Sequence, residues 1–300
     1  MTGTQLRSVV ALLRMSPLDI GGDVGKMRDV FEELLGAIPL PEDVRTDAVD
    51  LGGVRTLKVT AGPDHGAGAV LFLHGGAYAF GSAATSANLA ADVARRSGTT
   101  AYTVDYRLAP EHPFPAAVDD AVAAYRGLLD SGVPADRIAL CGESSGGGLA
   151  VALLVALRDA GLPLPTSAAV LSPWTDLTQS GRSLRTKAAV DPTLTPEALA
   201  VRSRDYLAGA DPRSPLASPL FADLRGLPPL LVQAGTHEIL LDDALRLAAE
   251  AADADVAVTL QTFPNAPHVF QSFAAVLSPA ATALDAVAAF LRTHLDQAAG

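Results

Sequence analysis

The sequence predicts an α/β fold in which a mostly parallel central sheet is covered by helices on both faces. Short apolar runs typical of strands alternate with longer helical stretches, and alternating β and α units form parallel sheets. The run Ala69–Leu73 is apolar at every position, as strands buried on both faces are. Hydrophobic residues make up 49% of the 300 residues and charged residues 18%, which supplies enough apolar side chain for a large core.

Seven strands are predicted in chain order, most of them apolar runs bounded by turn-forming residues. They span Arg55–Thr60, Ala69–Leu73, Thr99–Asp105, Arg137–Cys141, Ala168–Leu171, Leu230–Ala234 and Val256–Phe263. A further strand at Val44–Val49 precedes the first of them across Gly52-Gly53. That spacing predicts an antiparallel hairpin at one edge of the sheet.

Five helices are predicted between and after these strands. They lie around Ser86–Ser97, Ala116–Asp130, Gly147–Ala160, Asp242–Asp253 and Pro279–Leu295. Two segments fall outside the alternation: residues 1 to about 43, which look helical, and residues 175–222, far longer than the ~2–6 residues of usual connections. Thr195-Pro196 in the second segment predicts a helix start. We expect both segments to form a small helical cap over a single domain.

Charge and cysteine content exclude several classes of function. With 22 Lys and Arg against 33 Asp and Glu, the net charge of −11 argues against nucleic-acid binding. The single cysteine, Cys141, cannot form an internal disulfide, so a reducing compartment is expected. The longest apolar run, Gly148–Leu157, is far shorter than the ~20 residues of a membrane span. These features predict a soluble cytoplasmic protein.

The segment Gly142-Glu143-Ser144-Ser145-Gly146 matches the pattern G-x-S-x-G. A predicted strand leads into it and a predicted helix leaves it, the context in which such a serine is exposed on a strained turn above a sheet. The alternative is a serine in an ordinary glycine turn. The surrounding strand and helix favour Ser144 as a nucleophile.

A second glycine turn, His74-Gly75-Gly76-Ala77, follows the strand Ala69–Leu73. Acyl transfer requires backbone N–H donors aimed at the developing oxyanion. We expect these donors to come from Gly75, Gly76 or Ala77, together with Ser145, the residue after the nucleophile. Taken alone, such a sequence is more often only a turn.

The chain resembles the hormone-sensitive-lipase-like esterases, the bacterial family IV carboxylesterases of the α/β-hydrolase fold. The resemblance rests on the two glycine motifs and on the block Asp105-Tyr-Arg-Leu-Ala-Pro-Glu-His-Pro-Phe-Pro-Ala116 between them. It implies carboxylester hydrolysis by a Ser–His–acid triad without a cofactor, and a bracing role for the block beside the oxyanion turn. No metal is expected, because no other His, Cys or acidic residue stands at ligand spacing with His237 on one helix face. Ala77 replaces a third glycine, and Glu143 and Ser145 replace the usual Asp and Ala. These departures bear on pocket shape rather than on activity.

The general base is expected to be His268, because it follows the last strand, where the order Ser…acid…His places it. His65 and His294 lie away from strand ends, and the resemblance gives His74 and His112 structural roles. Aligning Glu238-Ile-Leu-Leu-Asp242 with the family's Asp-Pro-Leu-Arg-Asp makes Glu238 the acid. The competing interpretation assigns the acid to Asp242 or Asp243 and makes Glu238 a residue at the helix start.

The expected function is hydrolysis of short- to medium-chain acyl esters, with a small-molecule ester as the partner. A lactone or carbamate hydrolase would use the same residues on another acyl group. A receptor without activity on the same scaffold is the alternative from a different class, and a missing base would have suggested it. The sequence leaves the physiological ester and the oligomeric state open, with a homodimer as one option.

Overall fold

The central sheet has eight strands in the computed structural model, which describes residues 2–36, 38–62, 66 and 68–297. In chain order the strands are β1 Val44–Leu51, β2 Val54–Ala61, β3 Ala69–Leu73, β4 Thr100–Val104, β5 Ile138–Glu143, β6 Ala168–Leu171, β7 Leu230–Gly235 and β8 Val258–Phe263. Their spatial order is β1-β2-β4-β3-β5-β6-β7-β8. The reversal around β3 and β4 is that of a doubly wound sheet, in which ligands bind beyond the carboxyl ends of the strands.

The six strands β3 to β8 are parallel to one another, with β3 between β4 and β5. Strands β1 and β2 form the predicted antiparallel hairpin at one edge. β2 also pairs antiparallel with β4. The turn between the hairpin strands uses Gly52 and Gly53 at φ of 63° and 84°, a conformation that glycine adopts without strain. The predicted α/β class with a mostly parallel sheet is confirmed.

Helices cover both faces of the sheet. α3 (Ala87–Ser97) and α9 (Ser278–Gln297) pack in one buried apolar cluster, and α4 (Ala116–Asp130), α5 (Ser145–Asp159) and α8 (Leu241–Asp253) pack in the other. The main difference from the predicted bounds concerns β5 and α5. β5 extends two residues beyond Cys141, because Glu143 still pairs with Leu171 of β6, and α5 starts immediately after Ser144.

The two segments outside the alternation are helical and contact each other. The first holds α1 (Thr2–Arg14) and α2 (Val24–Gly36), and the second holds α6 (Ser183–Thr186) and α7 (Pro196–Leu207). α7 begins as predicted: the Thr195 hydroxyl accepts a hydrogen bond from Ala198 N–H at 3.1 Å, and Pro196 occupies the first helical position. Arg202 of α7 donates to the carbonyl of Gly22 at 3.1 Å.

Among the described residues, no helix combines the length and the apolar character needed to cross a bilayer.

Candidate active site

Ser144 occupies a sharp turn between β5 and α5, with φ of 53° and ψ of −122°. For a residue with a side chain this backbone conformation is strained, and it persists only where the surroundings enforce it. A Cβ at Gly146 would lie 2.1 Å from the carbonyl oxygen of Leu73, and one at Gly142 would lie 2.3 Å from the carbonyl oxygen of Gly146. Only glycine fits at either position, and the turn presents the serine hydroxyl at the carboxyl end of the sheet.

Three predicted side chains come together at that end of the sheet. His268 lies after β8, and its Nε2 is 2.9 Å from the Ser144 Oγ. Glu238 lies after β7, and its Oε2 is 2.5 Å from the Nδ1 of His268. With Glu238 ionised, Nδ1–H donates to the carboxylate, so Nε2 is left to accept the serine proton.

Glu238 is fully buried and is held by three donors. Besides the imidazole, Gly235 N–H donates to its Oε1 at 2.8 Å, and the Ser172 hydroxyl donates to the same oxygen at 3.1 Å. Ser172 Oγ in turn accepts from Val269 N–H at 3.1 Å, next to the histidine. The carboxylate and the imidazole are therefore fixed by one connected network.

The two competing acids face other partners. Asp242 accepts a hydrogen bond from Arg182 N–H at 2.6 Å. Asp243 is buried and accepts from Thr175 N–H at 2.8 Å and Asp176 N–H at 2.9 Å. Burial raises the pKa of Asp243 to about 8. Both carboxylates attach residues 175–182 to α8, and the one beside His268 is Glu238.

The pKa of His268 reflects two opposing effects. Burial lowers it, but the hydrogen bond and negative charge of Glu238, aided by Asp191 and Glu143, raise it more. The net result is a pKa above the ordinary value of 6.5. Because a buried carboxylate stabilises the imidazolium, this histidine is suited to take up a proton during a reaction.

The N–H groups of the predicted oxyanion turn differ in whether they already have a hydrogen-bond acceptor. Gly75 N–H donates to the Glu143 carboxylate at 3.4 Å, and Ser86 Oγ donates to the same oxygen at 2.8 Å. Across the described residues, the N–H groups of Gly76, Ala77 and Ser145 have no acceptor within the protein. The Gly75 N–H is thus engaged by Glu143, and the other three remain for a ligand.

The block between the two glycine motifs braces this turn, as the resemblance implied. Tyr106 OH donates to the carbonyl oxygen of His74 at 2.7 Å, and the two rings stack with centroids 4.1 Å apart. Burial lowers the pKa of His74 to about 4, so its ring is neutral. The carboxylate of Asp105 accepts from Ala83 N–H at 2.5 Å. The hydrogen bonds of these side chains go to the backbone of the turn and of Ala83 rather than to Ser144.

A cavity of about 480 Å³ opens beside Ser144 and His268. Gly76 and Ala77 of the turn line it together with the serine. Much of its wall is apolar and comes from α1, α2, the connections after them, and the second helical segment. These wall residues are Leu13, Leu18, Ile20, Phe31, Leu35, Ile38, Leu194 and Leu199. The cavity can accept a small apolar ligand with one end at the serine.

Several other residues lie away from the cavity or outside the described residues. Trp174, Tyr78 and Phe80 are at most 1% exposed and pack in the main core rather than on the cavity wall. Cys141 is buried in β5, where burial raises the pKa of its thiol. His65 falls outside the described residues. Within the described part of the chain, no group of three or more His, Cys, Asp and Glu side chains is arranged to hold a metal ion.

Sequence reasoning missed three residues of this network: Ser172, Glu143 as a hydrogen-bond acceptor, and Asp191, whose carboxylate accepts from Ile239 N–H at 2.8 Å. Ser172 follows β6 directly, so its position at a strand end could have drawn attention to it. Asp191 lies in a long connection, where no pattern in the sequence indicates a partner beside Glu238.

Comparison with known proteins identifies the family. Residues 70–272 match a family model described as the alpha/beta hydrolase fold. The chain is 42% identical over 296 residues to an acetyl-hydrolase of Streptomyces hygroscopicus, covering 98% of both chains. It is 38% identical over 272 residues to an esterase of Acinetobacter venetianus, covering 90% of this chain and 89% of that one.

A solved structure agrees with these relatives over nearly the whole chain. A crystal structure of an esterase from the bacterial hormone-sensitive lipase family superimposes with a TM-score of 0.94 at 42% identity, covering 97% of this chain and 98% of the other. The chain belongs to the bacterial hormone-sensitive-lipase family of esterases. As a member of this family it is a carboxylic ester hydrolase, which confirms the predicted class of enzyme.

Proposed function

We propose that this esterase hydrolyses short- to medium-chain esters with Ser144 as the nucleophile, His268 as the general base and Glu238 as the acid that orients it. One observation carries the assignment. An unbroken hydrogen-bond chain runs from the Ser144 Oγ through His268 to Glu238 at the end of the cavity, with distances of 2.9 and 2.5 Å. Nucleophile, base and orienting carboxylate in this arrangement are the requirements for acyl transfer through a covalent intermediate.

In the acylation step the Ser144 Oγ attacks the ester carbonyl carbon while His268 Nε2 takes the hydroxyl proton. The carbonyl oxygen gains a negative charge, and we propose that the N–H groups of Gly76, Ala77 and Ser145, which lack an acceptor among the described residues, bind it. Glu238 stabilises the imidazolium. When the tetrahedral intermediate collapses, the carbon–oxygen bond to the alcohol breaks and His268 returns its proton to the departing alkoxide.

Deacylation repeats these steps with water. His268 removes a proton from a water molecule, whose oxygen attacks the acyl-enzyme carbonyl. Collapse of the second intermediate breaks the bond to Ser144 Oγ, and the histidine gives the proton back to the serine. The products are the carboxylic acid and the regenerated enzyme, and no step requires a metal or an organic cofactor.

Substrate size follows from the cavity. Its volume of about 480 Å³ and its apolar wall suit an acyl group of a few to several carbons rather than a long lipid chain. We assign residues 1 to about 43 and 175–222 to one cap, because Leu13, Phe31 and Leu194 from these segments line the same cavity. The small, uncharged esters expected from the sequence fit this space.

Two further proposals concern the surroundings of the enzyme. A cytoplasmic location is favoured by its single, buried cysteine, because a reducing compartment preserves a free thiol.

A homodimer is the assembly we propose to test first. The edge strand β8 has Leu260 at 38% exposure and pairs only with β7 among the described strands, so its outer side is free for another strand. Light scattering on the purified chain measures the mass directly.

The function is tested with a panel of p-nitrophenyl esters of increasing acyl length, together with a lactone and an anilide. We expect turnover to be highest for acyl chains of a few carbons and to decline for the longest chains, which exceed the cavity. The control variant is Ser144→Ala, which should be inactive on every ester of the panel. A wild-type enzyme that turns over the lactone and none of the esters would replace this proposal with lactone hydrolysis.

A further inference from the structure

The turn that carries Glu238 is attached to the second helical segment by backbone hydrogen bonds. Asp191 accepts from Ile239 N–H at 2.8 Å, directly after the triad acid. The Ser183 hydroxyl donates to the carbonyl of Ile239 at 2.6 Å and accepts from Asp242 N–H at 2.8 Å. Because a buried backbone group must be paired, these side chains determine how residues 239–242 leave the sheet.

Asp191 differs from the other attachments because its carboxylate also shapes the cavity wall. Its second oxygen accepts from Thr193 N–H at 2.8 Å and from Leu194 N–H at 2.9 Å. Both of these residues line the cavity beside Ser144. A single carboxylate therefore joins the wall that contacts substrate to the turn that bears Glu238.

We propose that Asp191 is a positioning residue of ester hydrolysis, which holds the Glu238 turn in register with the cavity wall so that the carboxylate stays directed at His268. This inference rests on the proposed triad. Asp191 does not touch the reacting atoms. It acts on the position of Glu238 through the hydrogen bond to Ile239 N–H. It acts on the pKa of the His268 imidazole through its negative charge.

Charge gives this role a measurable signature. The acidic groups that act on His268 are Glu238, Asp191 and Glu143, and each raises its pKa against the lowering effect of burial. Removing the charge of Asp191 should therefore lower the pKa of the histidine. A side chain that only supported the fold would leave the pH dependence of the reaction unchanged.

Two variants separate the functions of the carboxylate. Asp191→Asn keeps the size of the side chain but removes the charge and replaces one accepting oxygen with a donor. Asp191→Ser keeps a hydroxyl able to accept from Thr193 N–H in a local turn, but it is too short to reach Ile239 N–H. The serine variant thus preserves the local turn at Thr193 even if the asparagine variant folds poorly.

The experiment measures kcat, KM and the pH profile of kcat/KM with p-nitrophenyl acetate for the wild type and both variants. We expect kcat to fall about tenfold in each variant, with KM within about threefold of wild type. The acidic limb should move down by about half a pH unit, because the lost charge is one of those that raise the pKa of His268.

The matched control is Asp242→Asn, which removes a carboxylate charge from another hydrogen bond between the second segment and α8, but that charge is not among those acting on His268. It should leave the acidic limb at its wild-type position, and any loss of kcat should stay below that of the two Asp191 variants. Wild-type kcat with an unmoved acidic limb in Asp191→Ser would overturn the proposal, as would a raised KM alone. Failure of the triad itself is distinguished by Glu238→Gln, which would then retain full activity.

Discussion

Arg28 of α2 donates to both carboxylate oxygens of Glu111, at 2.9 and 2.7 Å. The same guanidinium donates to the carbonyl oxygens of Ala79 at 2.8 Å and Ala109 at 2.9 Å. These carbonyls belong to the segment after the oxyanion turn and to the block that braces it. One side chain thus attaches a helix of the N-terminal segment to the part of the structure that presents the oxyanion donors.

Replacing Arg28 with alanine should therefore change substrate handling more than stability. The ion pair is partly exposed on both sides, so its own contribution is at most about 1 kcal/mol. Loss of the carbonyl contacts should let α2 move, which would raise KM severalfold for a hexanoate ester and little for an acetate. The control is Arg225→Ala, which breaks an exposed pair with Asp223. If KM of the Arg28→Ala variant rose equally for the hexanoate and the acetate ester, this role would be contradicted.

Ser144→Ala should remove ester turnover, with a loss on the order of 10⁶ in kcat, because no other group can form the acyl-enzyme. A fluorescent phosphonate should label the wild type at Ser144, as mapped by peptide mass spectrometry, and should leave the variant unlabelled. Ser131→Ala, at the exposed end of α4, serves as the control and should label normally. Label recovered on a different serine would refute the assignment of the nucleophile.

The acid is tested by comparing Glu238→Gln with Asp242→Asn. Glutamine keeps the size of the side chain but no longer favours the histidine tautomer with the proton on Nδ1, so kcat should fall about 10²–10⁴-fold. Asp242→Asn should fall at most about tenfold, since this carboxylate caps Arg182 N–H outside the triad. Circular dichroism and melting must first match the wild type. The reverse ranking would move the acid one helical turn later.

The pH profile should follow the elevated pKa of His268. The imidazole must be neutral to accept the serine proton, so kcat/KM falls as pH decreases through its pKa. Since that pKa lies above 6.5, the midpoint of the acidic limb should also lie above 6.5. In Glu238→Gln the midpoint should shift to lower pH, because burial then acts without the compensating charge. A profile that stays flat down to pH 4 in stable protein would exclude a histidine base.

Local patterns in the sequence predicted most of the strands, the elbow and the three side chains now found in one hydrogen-bonded chain. A strand can be recognised from an apolar run of consecutive residues, so no distant contact has to be known. Ser144, His268 and Glu238 each follow the end of such a strand. The sequence predicts the end of β5 two residues too early, because Gly142 and Glu143 resemble the start of a turn. In the structure, pairing with β6 holds both residues in an extended conformation.

The contacts of Gly75 and Asp191 could not be predicted in this way. Gly75 N–H donates a hydrogen bond to Glu143, 68 residues away in the sequence. Asp191 accepts one from Ile239 N–H, 48 residues away. Such partners are determined by how the strands and the second helical segment pack in three dimensions. A single sequence contains no periodicity that reports a hydrogen bond over that separation.

The exposure of α2 has a consequence for ligand binding, because we expect a ligand in the cavity to stabilise the packing of this helix. No residue of this helix is fully buried, and its cavity-facing side chains Phe31 and Leu35 keep part of their apolar surface open. An acyl group in the cavity would cover that surface, and by mass action whatever binds the packed form shifts the equilibrium toward it. A covalent phosphonate that carries an alkyl chain should therefore slow hydrogen exchange in α2 while β3 and β5, already buried, exchange as before.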